Sequence, residues 1–151
     1  MLVYTADKNG EGDRYFCKDG KIQRESDDGS RDSRYPKEDD HELDVPLAVL
    51  VNGNSASASE VFTGAVMDYD AGIVVGTTTF GKGIVQNLIP LGDGTAIKLT
   101  TAHYYTPNGF DLHGKGLEPD VVVEMDEELQ KKAVVELSED NQLQAAIEAM
   151  N

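Results

Sequence analysis

The chain has 151 residues, with 28 acidic against 13 basic side chains and a net charge of −15. That length allows one domain with a real core, and the charge argues against nucleic acid or anionic membrane surfaces as partners, since both would repel it. A single cysteine, Cys17, excludes an internal disulfide, no run is apolar and long enough to span a bilayer, and Met1 opens no signal-peptide pattern.

Residues 1–6, Met-Leu-Val-Tyr-Thr-Ala, read as a short core strand. Residues 7–44 form a charged insert punctuated by Gly10, Gly12, Gly20 and Gly29. Tyr15-Phe16-Cys17 and Lys21-Ile22-Gln23 flank Asp19-Gly20, a hairpin turn signal, and a loop is expected to follow through Pro36. Cys17 lies among polar residues and reads as a surface or partly buried thiol rather than a catalytic one. The cluster Asp39-Asp40-His41-Glu42 fits no calcium-loop spacing and reads as a solvated acidic linker, so neither metal nor cofactor is expected.

Val45 to Val51 is a short aliphatic run of the kind found in buried parallel strands. Asn52-Gly53-Asn54 breaks it, and an amphipathic helix follows with Ala58, Val61, Phe62, Ala65, Val66 and Tyr69 spaced for one buried face. The junction, Ser55-Ala56-Ser57-Ala58-Ser59-Glu60, supports two readings. Ser57-x-x-Glu60 is a capping box. A strand, a sharp turn and a helix with hydroxyls at the junction also present a nucleophilic serine where the helix N-terminus favours developing negative charge.

Ala71 to Gly76 is a second buried strand, which completes a strand–helix–strand crossover. Lys82 then sits between Gly81 and Gly83 beside an apolar run. Glycines allow close approach, burial would favour the lysine's neutral, proton-accepting form, and such a lysine can replace histidine as the base for a serine. Lys82 and Gln86 would share a face on a strand. Gly83–Pro90 and Thr95–His103 read as two strands joined around Gly92-Asp93-Gly94, with one face more apolar than the other. Lys98 is a weaker candidate base, and His103 and His113 are tempting triad members that more often prove structural. Tyr104 to Gly109 runs from a strand end into a turn. Gly114 to Asp120 is a glycine-framed loop leading to the strand Val121–Val123. Asp126 is expected to cap a helix reaching about Leu137, and Ser138 or Asp140 to start a last one. Leu143, Ala146, Ile147 and Met150 form its stripe, which would dock on the chain's own sheet.

Four segments together carry a resemblance: N-G-N-S-A-S-A-S-E (52–60), G-T-T-T-F-G-K-G-I-V-Q (76–86), D-G-T-A-I-K-L-T-T-A-H-Y-Y-T-P-N-G (93–109) and H-G-K-G-L-E-P-D (113–120). In this order they resemble the catalytic core of the carboxyl-terminal processing, or tail-specific, proteases. The resemblance implies an α/β fold with a Clp-protease/crotonase-like core. That core would be a mostly parallel buried sheet flanked by helices, with the hairpin region added; residues 45–125 would form it and 126–151 the C-terminal helices. It further implies a serine endopeptidase acting on proteins or peptides near their C-termini, in the cell envelope or otherwise outside the cytoplasm. By motif position Ser57 is the nucleophile, Lys82 the general base and Gln86 the residue orienting it, with the Ala58 N–H donating to the oxyanion.

Complete members of that family also carry an upstream helical segment, a PDZ domain and a strand ending in an N-P-G-G-like turn that gives a further oxyanion N–H. None of these occurs in the present sequence, so little turnover is expected of the chain by itself. The alternative reading is a non-catalytic, self-associating truncated homologue, an assembly or regulatory module that forms homo-oligomers through an unpaired sheet edge.

Overall fold

The computed structural model describes residues 1–18, 21–34 and 45–151. The Asp19-Gly20 turn and the Asp39-Asp40-His41-Glu42 linker lie outside the described residues. The chain divides into two compact units, Met1–Glu42 with Lys82–Gly114 and Leu43–Gly81 with Lys115–Asn151.

The first unit is antiparallel. Its strands are β1 (Val3–Ala6), β2 (Asp13–Lys18), β3 (Lys21–Ser26) and β4 (Arg31–Arg34), followed after the other unit's first segment by β7 (Ile84–Pro90) and β8 (Ala96–Tyr105). They form one sheet in the order β4-β3-β2-β1-β8-β7, so what reads as a loop after the first hairpin contains a third strand, β4. Short connections between sequential strands enforce the antiparallel pairing. The join between β1 and β8 is cemented by Tyr4 opposite Tyr105, whose rings stack with centroids 5.0 Å apart. The β7–β8 hairpin has its register shift at Val85/Gln86. Past that bulge both of its faces are open: Leu88, Ile89, Ile97 and Leu99 are all exposed.

The second unit is parallel. It comprises β5 (Ala48–Val51), α1 (Ala58–Asp68), β6 (Ile73–Gly76), β9 (Val121–Val122), α2 (Glu127–Gln130) and α3 (Asn141–Ala149). Its sheet runs β5-β6-β9 with every pair parallel, so the expected parallel pairing belongs to this unit alone. Val51, Val66 and Val74 are the buried centre, with Leu47, Val49 and Met67 packed on them. Val74 and Val75 point to opposite faces of β6, yet neither is exposed, which requires cover on both sides. Helices α1 and α3 both pack on β6, and α3 also on β5. The last helix therefore docks on its own sheet, started by Asp140, whose carboxylate accepts the N–H groups of Gln142 and Leu143. Its Gln142 amide donates to the Val123 carbonyl at 2.7 Å. The helix expected to reach Leu137 stops after one turn, at Gln130.

One expectation about α1 is overturned. Phe62 and Tyr69, assigned to the buried face, are each 54% exposed, whereas Glu60, Thr63 and Gly64 are buried. The helix has turned to bring a carboxylate inward, and the reason is in the site.

Candidate active site

The strand-to-helix turn after β5 is tied by its own polar side chains. Asn52 Oδ1 accepts the Asn54 N–H at 2.9 Å, and Ser55 Oγ accepts the Asn52 N–H at 3.1 Å. The Ser55 carbonyl accepts the Phe80 N–H at 3.0 Å. These bonds separate the three serines. Ser55 is a turn fastener, Ser59 is exposed on the helix, and Ser57 is the half-buried N-cap.

Ser57 holds φ 58° and ψ −112°. A side chain in that left-handed region is strained by about 1–3 kcal/mol, and such strain persists only where the surroundings over-determine it. It turns the serine out of the strand at the positive end of the helix dipole. Ala58 is the first helical residue, so its N–H has no acceptor within the helix.

Glu60 supplies the over-determination. It is fully buried; Oε2 accepts the Ser57 N–H at 2.9 Å, and Oε1 accepts both the Thr79 hydroxyl and the Gly81 N–H at 2.6 Å. Burying a carboxylate is tolerable only with such donors around it. Thr79 Oγ1 in turn accepts the Leu117 N–H at 2.8 Å, and the Leu117 carbonyl accepts the Thr79 N–H at 3.0 Å. The glycine before that leucine is required: at Gly116, with φ +73°, a Cβ would stand 2.2 Å from the Thr79 carbonyl oxygen. Two of the four sequence segments thus meet at one carboxylate, and a third joins them through Thr79. The capping-box reading therefore holds in both arms, Ser57 Oγ toward the Glu60 N–H and the Glu60 carboxylate toward the Ser57 N–H, and the same glutamate reaches two further partners that local sequence does not announce.

Lys82 and Gln86 belong to the antiparallel unit. Lys82 is half-buried between two buried glycines. It precedes β7, so the strand alternation that would place it on one face with Gln86 does not extend to it. Gln86 is exposed and donates from Nε2 to Thr100 Oγ1 at 3.2 Å. The Lys82 carbonyl accepts the Tyr104 hydroxyl. Of the other candidates, Lys98 is exposed on β8. His103 Nδ1 lies 3.5 Å from Asp111 Oδ2, and its ring meets His113 edge-on at 5.0 Å, a polar cluster of the antiparallel unit. Cys17 is exposed on β2. Among the described residues no cluster of His, Cys, Asp or Glu could hold a metal ion, and no helix is long and apolar enough to cross a membrane.

Glu60 as a hub, Thr79, and Tyr104 are the residues that sequence reasoning missed. The signal for Glu60 was its place on the face opposite the one chosen: with Thr63, Gly64 and Met67 it makes an i, i+3, i+4, i+7 stripe as regular as the apolar one.

Comparison with known proteins agrees with the resemblance. The model of peptidase family S41 matches residues 4–123. A carboxy-terminal-processing protease of Bartonella bacilliformis is 54% identical over 79 residues, 52% of this chain and 18% of that protein. A probable CtpA-like serine protease of Staphylococcus epidermidis is 52% identical over 80 residues, 53% of this chain and 16% of the relative. The chain thus matches less than a fifth of either relative's length. Among solved structures, a photosystem II D1 C-terminal processing protease superposes with a TM-score of 0.60 at 36% identity, over 82% of this chain and 27% of that one. A lipoprotein from Streptococcus agalactiae, at 21% identity, shares the fold, with a TM-score of 0.57 over 87% of this chain and 42% of that one. With 120 consecutive positions under the family model, the chain belongs to peptidase family S41.

Proposed function

We propose that the chain is the catalytic-core portion of a serine endopeptidase that cuts proteins near their C-termini, outside the cytoplasm, with Ser57 and Lys82 as its dyad. Ser57 Oγ attacks the scissile carbonyl carbon while Lys82 Nζ takes its proton. The C–N bond breaks as Lys82 returns that proton to the leaving amine, and water, deprotonated in the same way, releases the acyl group. Gln86 orients the lysine. The Ala58 N–H, at the positive end of α1, donates to the oxyanion.

The observation that carries this reading is the backbone of Ser57. A non-glycine residue at φ 58°, locked from below by a buried glutamate and followed by a helical amide with no intrahelical acceptor, is costly for a mere cap and useful for a nucleophile. The test is hydrolysis of peptides with a free C-terminal carboxylate by these residues in a full-length context, extended upstream through the oxyanion strand and PDZ domain. Ser57→Ala and Lys82→Ala are each expected to lower the rate at least about 1000-fold, while Ser59→Ala leaves it unchanged. Activity surviving in Ser57→Ala removes the assignment. A rate profile governed by a group near the ordinary histidine value of about 6.5 would transfer the base to His103 or His113.

A further inference from the structure

The lysine's own scaffold contains a feature that the dyad does not include. Two consecutive carbonyls, those of Lys82 and Gly83, are both taken by one residue. The Tyr104 hydroxyl donates to the Lys82 carbonyl, and the Tyr104 N–H donates to the Gly83 carbonyl at 3.0 Å. Tyr104 is 6% exposed, so a hydroxyl left without a partner there would be costly, and its grip on the peptide is correspondingly firm. From another side the same peptide closes on the His113 backbone: a Cβ added at Gly83 would lie 2.9 Å from the His113 nitrogen. Lys82 itself precedes β7 and so lacks the strand ladder that holds the residues after it.

We propose that Tyr104 is a positioning residue for Lys82. By holding the peptide groups on the lysine's C-terminal side it fixes the direction in which the Lys82 side chain leaves the backbone, and hence the environment of Nζ. The proposal rests on the reading of Lys82 as the general base, and it gives the segment Ala102-His103-Tyr104-Tyr105 a role that its position on a strand does not suggest. A proton acceptor acts only from a defined geometry, and a long flexible side chain has to be directed from its backbone when its neighbours are glycines.

The test reads Lys82 directly, so that it works whether or not the chain turns over. The chain and its Tyr104→Phe variant are treated with limiting acetic anhydride from neutral to alkaline pH, and acetylation is followed residue by residue by mass spectrometry. Lys98 and Lys8 serve as internal references. In Tyr104→Phe the relative rate at Lys82 is expected to change about fivefold, the usual worth of one hydrogen bond, with a displaced pH dependence, while Lys98 and Lys8 keep theirs. An unchanged rate and pH profile at Lys82 in a folded Tyr104→Phe chain overturns the proposal. Should circular dichroism show that variant unfolded, Gly83→Ala decides, because it displaces the same peptide from the His113 side. A change at Lys82 alone then supports the clamp, and indifference refutes it. Failure of the dyad is read separately: peptide cleavage that survives Lys82→Ala removes the base assignment and leaves the acetylation result standing.

Discussion

The two units carry their candidate residues in opposite ways. In the parallel unit, whose buried centre is Val51, Val66 and Val74, Ser57 is held from beneath by a buried carboxylate with three bonded donors. In the antiparallel unit Lys82 is gripped by one tyrosine at the foot of a hairpin whose apolar side chains are exposed on both faces. A parallel sheet needs crossovers, and crossovers bury both its faces. Such a sheet can hold a strained turn, because the cost of releasing one bond is borne by many others. An antiparallel hairpin with open faces buries little, so it holds a residue through single bonds such as that from Tyr104, 22 residues away. The serine's turn is thus buttressed by a buried network, whereas the Lys82 peptide is held by Tyr104 beside a hairpin with open faces.

The strongest way to break this comparison is to remove its hub. Glu60→Ala leaves the Ser57 N–H, the Gly81 N–H and the Thr79 hydroxyl unsatisfied in a buried site. At about 1–3 kcal/mol for each unsatisfied donor, with some relaxation, a loss of roughly 3–5 kcal/mol in urea denaturation is expected. Gln86→Ala, at an exposed position, should stay within about 0.5 kcal/mol. Equal effects of the two would mean that Glu60 is an ordinary cap and that the serine turn stands without it.

A smaller effect sharpens the contrast between the sheets. Val74 is fully buried and Leu88 is 71% exposed. Val74→Ala is expected to cost about 2 kcal/mol from lost burial and the cavity left behind, and Leu88→Ala, although it removes more carbon, under about 0.5 kcal/mol. The measurement is the shift in denaturation midpoint. A comparable penalty at Leu88 would show that the hairpin's apolar side chains are covered in solution.

The sequence made the parallel unit readable and left the antiparallel one half-read, for physical reasons. Buried parallel strands announce themselves as aliphatic runs, so Val45–Val51 and Ala71–Gly76 led directly to β5 and β6. The break at Asn52-Gly53-Asn54 and the helix start after Ser57 were equally legible, because turn and cap chemistry is local. Strand β4, Arg31-Asp32-Ser33-Arg34, is polar throughout and pairs at the sheet's edge, so no hydrophobic period could reveal it. The face of α1 was misassigned because a buried glutamate violates the apolar rule, and its partners lie 19 and 21 residues away. The Tyr104 clamp spans 22 residues and is invisible to any local pattern. Conversely, the helix expected to reach Leu137 had caps and charges in order but no continuous apolar stripe, and only one turn forms.

The smallest effect concerns acid. Asp7, Asp27, Asp28 and Asp93 all belong to the antiparallel unit, and each is held below the ordinary carboxylate range. For Asp27 the main cause is the hydrogen bond from the Arg14 guanidinium, then the Gly12 N–H; for Asp93 it is the Thr95 hydroxyl, then the Thr95 N–H. The Ser30 hydroxyl and N–H act on Asp28, and the N–H groups of Asn9 and Glu11 on Asp7. A carboxylate whose folded pKa is depressed adds stability that is fully present above its unfolded value, about 3.9. That stability is lost as pH falls through the folded value. Because none of the four groups is buried, screening keeps each contribution small, and the clearest readout is local. The Thr95 amide resonance, whose proton is donated to Asp93 Oδ1 at 2.9 Å, is expected to titrate with a midpoint below about 3.9. Asp93→Asn should abolish that titration and leave the amides of β5 and β6 untouched. A midpoint at or above the unfolded value would mean that the β7–β8 turn does not hold its hydrogen bonds in solution, and the hairpin would then be looser than its register implies.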